Sequence, residues 1–155
     1  MWRYAMVLCR NGDVAEELVQ STCVRALERS AQYTPGTRID RWLFTILHSL
    51  WINELRAQRV RSGQGFVDSE ALMAPDSQGI NDERRHYADV MQRVSRLPEA
   101  QRNAVFLVYV EGFTYQEAAD TLAVPPGTIM SRLAAARTTL AKAAVSTPPA
   151  QEKHL

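Results

Sequence analysis

From Asp13 to Glu28 apolar residues return at the spacing of a single helix face. Ala15, Leu18, Val19, Thr22, Cys23, Ala26 and Leu27 form the apolar stripe, and Glu16, Glu17, Gln20, Ser21, Arg25 and Glu28 lie opposite it. Asp13 is placed to cap this helix, with Glu16 at capping-box spacing. A shorter helix, Trp2 to Arg10, precedes it and begins abruptly. The stretch QYTPGTRID then breaks the period with a Pro-Gly turn. Next comes RWLFTILHSLWINELRAQR, apolar on nearly every side: Leu43, Ile46, Leu47 and Leu50 make one stripe, and Trp42, Phe44, Trp51 and Leu55 cover the rest. Such a helix is either wrapped by neighbours or lends aromatics to a partner.

The pattern vanishes over residues 62–82, a stretch rich in Ser, Gly, Asp and Pro, which reads as a linker spanning about 25 Å as a coil. Periodicity returns near Glu83 with Tyr87, Val90, Met91, Val94 and Leu97, stopped by Pro98. A helix over Glu99–Glu111 follows, ended by Gly112 in the position after the cap. Thr114 and Glu117 have capping-box spacing for a third helix carrying Ala118, Ala119 and Leu122. Pro126 suits the first turn of a fourth, where its missing N–H is not needed. No strand alternation is sustained. The expected fold is all-α: a helical domain over 1–61, the linker 62–82, a four-helix helix-turn-helix domain over 83–145 and a disordered tail over 146–155.

Composition narrows what such a chain does. With 46% hydrophobic residues there is ample material for packed cores, and no apolar run reaches the ~20 residues of a membrane span. The first residues carry no signal-peptide pattern, so a cytoplasmic protein is expected. Cys9 and Cys23 lack a CxxC partner or a histidine cluster, so they read as buried, reduced hydrophobes rather than metal ligands. Neither a nucleophile–base pairing nor a phosphate-cradling loop is present, which argues against an enzyme, a cofactor or a small-molecule substrate. The net charge is only +1, from 18 basic and 17 acidic residues, low for a protein that grips duplex DNA unaided.

Taken in order, VAEELVQSTCVRALE, RIDRWLFTILHSLWINELR, a polar linker and RLPEAQRNAVFLVYVEGFTYQEAADTLAVPPGTIMSRLAAARTTL resemble the sigma-70 family, and in particular its two-domain extracytoplasmic-function (ECF) group. The resemblance implies a dissociable specificity subunit that binds bacterial core RNA polymerase and promoter DNA, with an anti-sigma factor as a further partner. Against the family pattern the first helix is short. The resemblance places Glu16, Glu17 and Gln20 on the polymerase clamp, and Tyr33, Trp42, Ser49, Asn53, Arg56 and Arg59 at the melted −10 element. The basic end formed by Arg56, Arg59 and Arg61 also suits the dipole of its own helix. It places Thr128, Met130, Ser131, Arg132, Ala135 and Arg137 on the helix that reads the −35 element.

The chain departs from the family at telling positions. His48, Ser49, Trp51 and Asn53 stand where the family more often has arginine, asparagine, a small residue and aspartate; Met130 and Ala135 replace basic residues. At about 100° per residue Ile129, Leu133, Ala136 and Leu140 share the inward face of the last helix, which turns Thr128, Ser131, Ala134, Ala135 and Thr138 outward. A bidentate guanine contact is worth ~1–3 kcal/mol of discrimination, so this reader is retuned or weakened. Arg132, Arg137 and Lys142, with no acid between Gly127 and Val145, keep it locally basic. The alternative reading is a sigma-like mimic that captures an anti-sigma partner without directing transcription.

Overall fold

The computed structural model describes residues 1–63 and 82–145, with the side chains of 82–87 and of residue 145 left aside. Most of the expected linker and the whole expected tail lie outside the described residues. Among the described residues seven α-helices follow one another: α1 (Trp2–Cys9), α2 (Gly12–Glu28), α3 (Ile39–Ser62), α4 (Asp82–Ser95), α5 (Glu99–Val105), α6 (Tyr115–Leu122) and α7 (Pro126–Val145). A 3-10 turn, Ser30–Gln32, follows α2, and a π-helical turn, Phe106–Val110, extends α5. Among the described residues there is no strand.

The local signals hold with two adjustments. The cap of α2 is Asn11, whose side-chain oxygen accepts from the Val14 N–H at 3.1 Å, so the helix starts one residue before Asp13. Ala15, Leu18 and Thr22 of its stripe are buried, but Cys23 is exposed and Leu27 is 77% exposed. The straight helix carries the late part of that stripe past the edge of its packing surface. Cys23 is therefore no core residue. Cys9 is half-buried, its thiol donating to the carbonyl oxygen of Ala5 at 3.0 Å. Burial pushes that thiol above its ordinary range.

Two helical bodies form, α1–α3 and α4–α7, and they pack directly on one another. The helix α3 is wrapped, with Phe44, Leu47, Trp51 and Leu55 buried. Tyr4 of α1, with no exposed surface, sits at the joint. Its ring stacks on Phe44 at 5.3 Å and on Phe106 of the second body at 5.8 Å, and Phe44 meets Phe113 at 5.3 Å. Rings buried this fully contribute about 1.5–3 kcal/mol each. Polar contacts border the joint. The Arg102 Nε donates to the Val7 carbonyl at 3.1 Å, Arg10 donates to the Ser95 carbonyl, and Arg3 pairs with Glu111 at 3.2 Å. The periodicity of each helix was readable, yet it gave no sign that one continuous core would join both bodies.

Candidate nucleic-acid interface

The helix-turn-helix is built as its residues dictate. Thr114 accepts from the Glu117 N–H at 3.1 Å, and the Glu117 carboxylate accepts from the Thr114 N–H at 2.8 Å, completing the capping box of α6. That backbone hydrogen bond, aided by the nearby Arg41 charge, holds the Glu117 carboxyl below its ordinary range. Gly112, at φ 69°, supplies the left-handed residue that lets the chain leave the π turn. Ala118 and Ala119 are buried, and their small side chains let α6 and α7 approach closely.

In α7, Ile129, Leu133 and Ala136 are completely buried and Leu140 half-buried. Ser131, Ala134, Ala135, Arg137 and Thr138 are exposed, Met130 is 56% exposed, and Thr128 and Arg132 are half-buried. The outward face thus has the composition expected: short hydroxyls and alanines with arginines at its edges. The Ser131 hydroxyl donates to the Gly127 carbonyl at 3.1 Å. Arg137 donates from Nη1 to the Tyr109 hydroxyl at 2.8 Å, and this bond together with Tyr115 raises the pKa of its guanidinium. Neither tyrosine is marked by the sequence as a partner of Arg137. Their signal is weak: Tyr109 interrupts an otherwise apolar run, and Tyr115 follows the cap.

On the first body, Glu16, Glu17 and Gln20 are exposed together along α2. On α3, Trp42, Ser49, Asn53 and Arg56 fall within about 60° of one another at ~100° per residue, with Arg59 at the edge. Ser49, Asn53, Arg56 and Arg59 are exposed and Trp42 is half-buried. Tyr33, also half-buried, leans on Trp42 at 5.3 Å with its ring tilted by 45°, and its hydroxyl donates to the Thr37 carbonyl at 2.6 Å. Gly36, at φ 87°, closes the turn that carries Tyr33 back to α3. Beside them lies an open cavity of about 150 Å³ whose lining includes Arg25, Arg29, Gln32, Trp42 and Ser49. Arg25, Arg29 and Gln32 were missed as site residues, because on a helix diagram they belong to the solvated side of α2 and the turn after it.

His48 is not on this surface. It is buried, with Nδ1 3.1 Å from the Tyr4 hydroxyl, and desolvation together with the positive charge of Arg132 lowers its pKa to about 4. Among the described residues no group of three or more His, Cys, Asp or Glu side chains is gathered to hold a metal ion. None of the described helices is long and apolar enough to cross a membrane.

Comparison with known proteins matches both bodies. Residues 1–61 match sigma-70 region 2 and residues 87–140 match sigma-70, region 4. The chain is 33% identical over 139 residues to the ECF RNA polymerase sigma factor EcfG of Rhodopseudomonas palustris, covering 88% of this chain and 75% of that protein. It is 33% identical over 136 residues to the ECF sigma factor SigE of Mycolicibacterium smegmatis, covering 86% of this chain and 52% of that protein. In structure it resembles the sigma factor RpoE of Bartonella quintana, solved in complex with the anti-sigma factor NepR. The TM-score is 0.74 at 27% identity, over 95% of this chain and 91% of that one. A sigma region 2 body and a sigma region 4 helix-turn-helix, in that order and on this fold, place the chain in the sigma-70 family, among the ECF RNA polymerase sigma factors.

Proposed function

We propose that this chain works as an ECF sigma factor in the cytoplasm, with α2 on core RNA polymerase, the Trp42 face of α3 at the −10 element and α7 at the −35 element. The observation that carries this reading is the pairing of two outward surfaces of different chemistry on one family-typical fold. One is the aromatic and basic cavity beside Trp42; the other is the helix-turn-helix face from Thr128 to Arg137. The chain performs no covalent chemistry in this role. It supplies binding, and the polymerase supplies catalysis and most of the phosphate neutralisation, which accounts for a net charge of only +1.

At the −10 element a base must leave its stack, which costs a few kcal/mol and calls for a stacking partner and hydrogen-bonding groups in a pocket. The cavity offers Trp42 for stacking and Arg25, Arg29, Gln32 and Ser49 for polar contacts. Its volume is about that of an interior cavity able to hold a benzene ring. Ser49, Asn53, Arg56 and Arg59 continue the same face for the phosphate track. At the −35 element, Arg132 and Arg137 supply charge, Thr128 and Ser131 supply hydrogen-bonding oxygens, and Met130 offers an apolar contact to a thymine methyl. An anti-sigma factor fits as a further partner, since the similar Bartonella sigma factor was solved bound to one.

Mixing the protein with bacterial core polymerase and a library of promoters is expected to give promoter-specific transcripts. Failure to form any stable core complex would overturn the reading. Exposed Met130 and Ala135, which leave the reading helix short of basic residues, favour one second reading, a mimic that binds an anti-sigma factor alone. Capture of an anti-sigma factor without core binding is its signature. A separate expectation concerns Ala135→Arg. It should tighten binding to −35-containing duplex and steepen the slope of log K against log salt by about one. Fluorescence anisotropy across a salt series measures both quantities, and an unchanged slope would mean that this face does not approach DNA.

A further inference from the structure

We propose that Tyr109 is a positioning residue for DNA binding: its hydroxyl holds Arg137 at the edge of α7 for a backbone phosphate, so that this arginine attaches without reading sequence. The partner, duplex DNA, is taken from the proposed function, on which this reading rests; everything else is local geometry. Arg137 is exposed, and its Nη1 donates to the Tyr109 hydroxyl at 2.8 Å. Tyr115, the first residue of α6, brings a second hydroxyl to the same guanidinium. One surface arginine is thus held by two hydroxyls from two other segments of the chain.

These partners differ in charge from those of other surface arginines. Arg3, Arg25, Arg38 and Arg61 each pair with a carboxylate, which cancels their charge locally. Among the described residues no carboxylate forms an ion pair with Arg137, and both of its hydroxyl partners are neutral. Its direction is therefore fixed while its full positive charge stays available to an outside anion. The segment that brings Tyr109 there is the π-helical turn. The Glu111 N–H closes it on the Phe106 carbonyl at 3.0 Å, and within it Phe106 and Leu107 stay buried while Tyr109 is 55% exposed. A ring this exposed adds little to the core, so the contact of its hydroxyl is the main effect of a tyrosine at this position.

Position and donor count select a phosphate over a base edge. On α7 Arg137 lies about 20° around the helix from Met130 at ~100° per residue, at the border of the outward face rather than at its centre. A guanidinium has five N–H donors, and a guanine edge takes two of them in parallel as an intact fork. The two tyrosines already draw on that fork, whereas a phosphate oxygen accepts from any donor left over. Holding the side chain in place beforehand also removes rotamer freedom that a loose arginine would lose on binding.

The test uses the full chain at low salt and two short fluorescent duplexes. One holds the −35 region of the promoter most active with core polymerase, and the other is of random sequence. Tyr109→Phe, which keeps the ring and deletes the hydroxyl, is expected to weaken binding to both duplexes about fivefold. Arg137→Ala should weaken both about tenfold and lower the slope of log K against log salt by about one. In the Arg137→Ala background, Tyr109→Phe should change Kd by less than about twofold. In the free protein, the order parameter of the Arg137 Nε–H should fall below about 0.6 in Tyr109→Phe, while that of Arg59 is unchanged. Independent effects of the two substitutions, or an unmoved Arg137 Nε–H, would overturn the positioning role. A loss confined to the −35 duplex would make Arg137 a base reader and overturn the phosphate assignment, as would absence of binding to either duplex. If no promoter is active, or the natural chain binds both duplexes equally, the −35 reading of the proposed function fails, and the coupling on the random duplex still decides Tyr109.

Discussion

Replacing Tyr4 by alanine is expected to remove about 3–5 kcal/mol of stability, the range for deleting a fully buried aromatic ring. The ring has no exposed surface, is stacked between Phe44 and Phe106, and belongs to both domains at once. Its loss leaves a void that neither helix body can close without moving the other, so the upper half of the range applies. For a chain of this size, each kcal/mol corresponds to roughly 2–4 °C in Tm, so the transition should fall by roughly 8–20 °C. Tyr4→Phe separates the two contributions of the side chain. It keeps the stack and deletes only the hydroxyl that meets His48 Nδ1 at 3.1 Å, with an expected loss of about 1 kcal/mol. Urea midpoints for the three proteins provide the comparison. A Tyr4→Ala loss below about 1 kcal/mol would show that the ring does not hold the two bodies together.

Acid should loosen the same joint. His48 titrates at about 4 in the folded protein because burial and the charge of Arg132 disfavour its protonated form. In the unfolded chain it titrates near 6.5. The folded state therefore binds fewer protons between these values. The stability that His48 contributes is fully present above pH 6.5 and is lost as the pH falls through that window toward 4. The difference of about 2.5 units corresponds to about 3 kcal/mol. Glu117 and Asp40, whose carboxyls are held below their ordinary range, add losses in the same direction at the acid end. Urea midpoints between pH 7 and pH 4.5 should therefore fall steeply for the natural chain. In His48→Leu, which keeps the volume apolar and cannot take up a proton, the slope over the upper part of that window should flatten. Equal slopes for the two proteins would mean that His48 is not desolvated at the joint.

The sequence was legible wherever a signal is local. The Thr114–Glu117 capping box, the Gly112 exit, Pro126 in the first turn of α7 and the inward set Ile129, Leu133 and Ala136 all stand where spacing put them. Each depends on contacts within a few residues. The last part of the α2 stripe was misleading because a helical period says where apolar residues lie and not how wide the neighbouring surface is. Leu27 and Cys23 run past that surface. The shared core was out of reach for a related reason. An all-round apolar α3 announces that something covers it, and Phe113, more than fifty residues away, carries no mark of being that something. The same holds for the site. Trp42 could be singled out from its own helix, whereas Arg29 and Gln32 join it at the cavity only through the turn after α2, and Tyr109 reaches Arg137 across 28 residues.

Tyr4 and Phe106 are stacked partners about 100 residues apart in the chain. At about 5–20 residues per second on the ribosome, roughly 5–20 s separate the emergence of the first ring from that of the second. For that interval α1 and α3 present Tyr4 and Phe44 without their cover. A newly made first domain therefore briefly exposes these rings, and the shared core forms only after synthesis of the second.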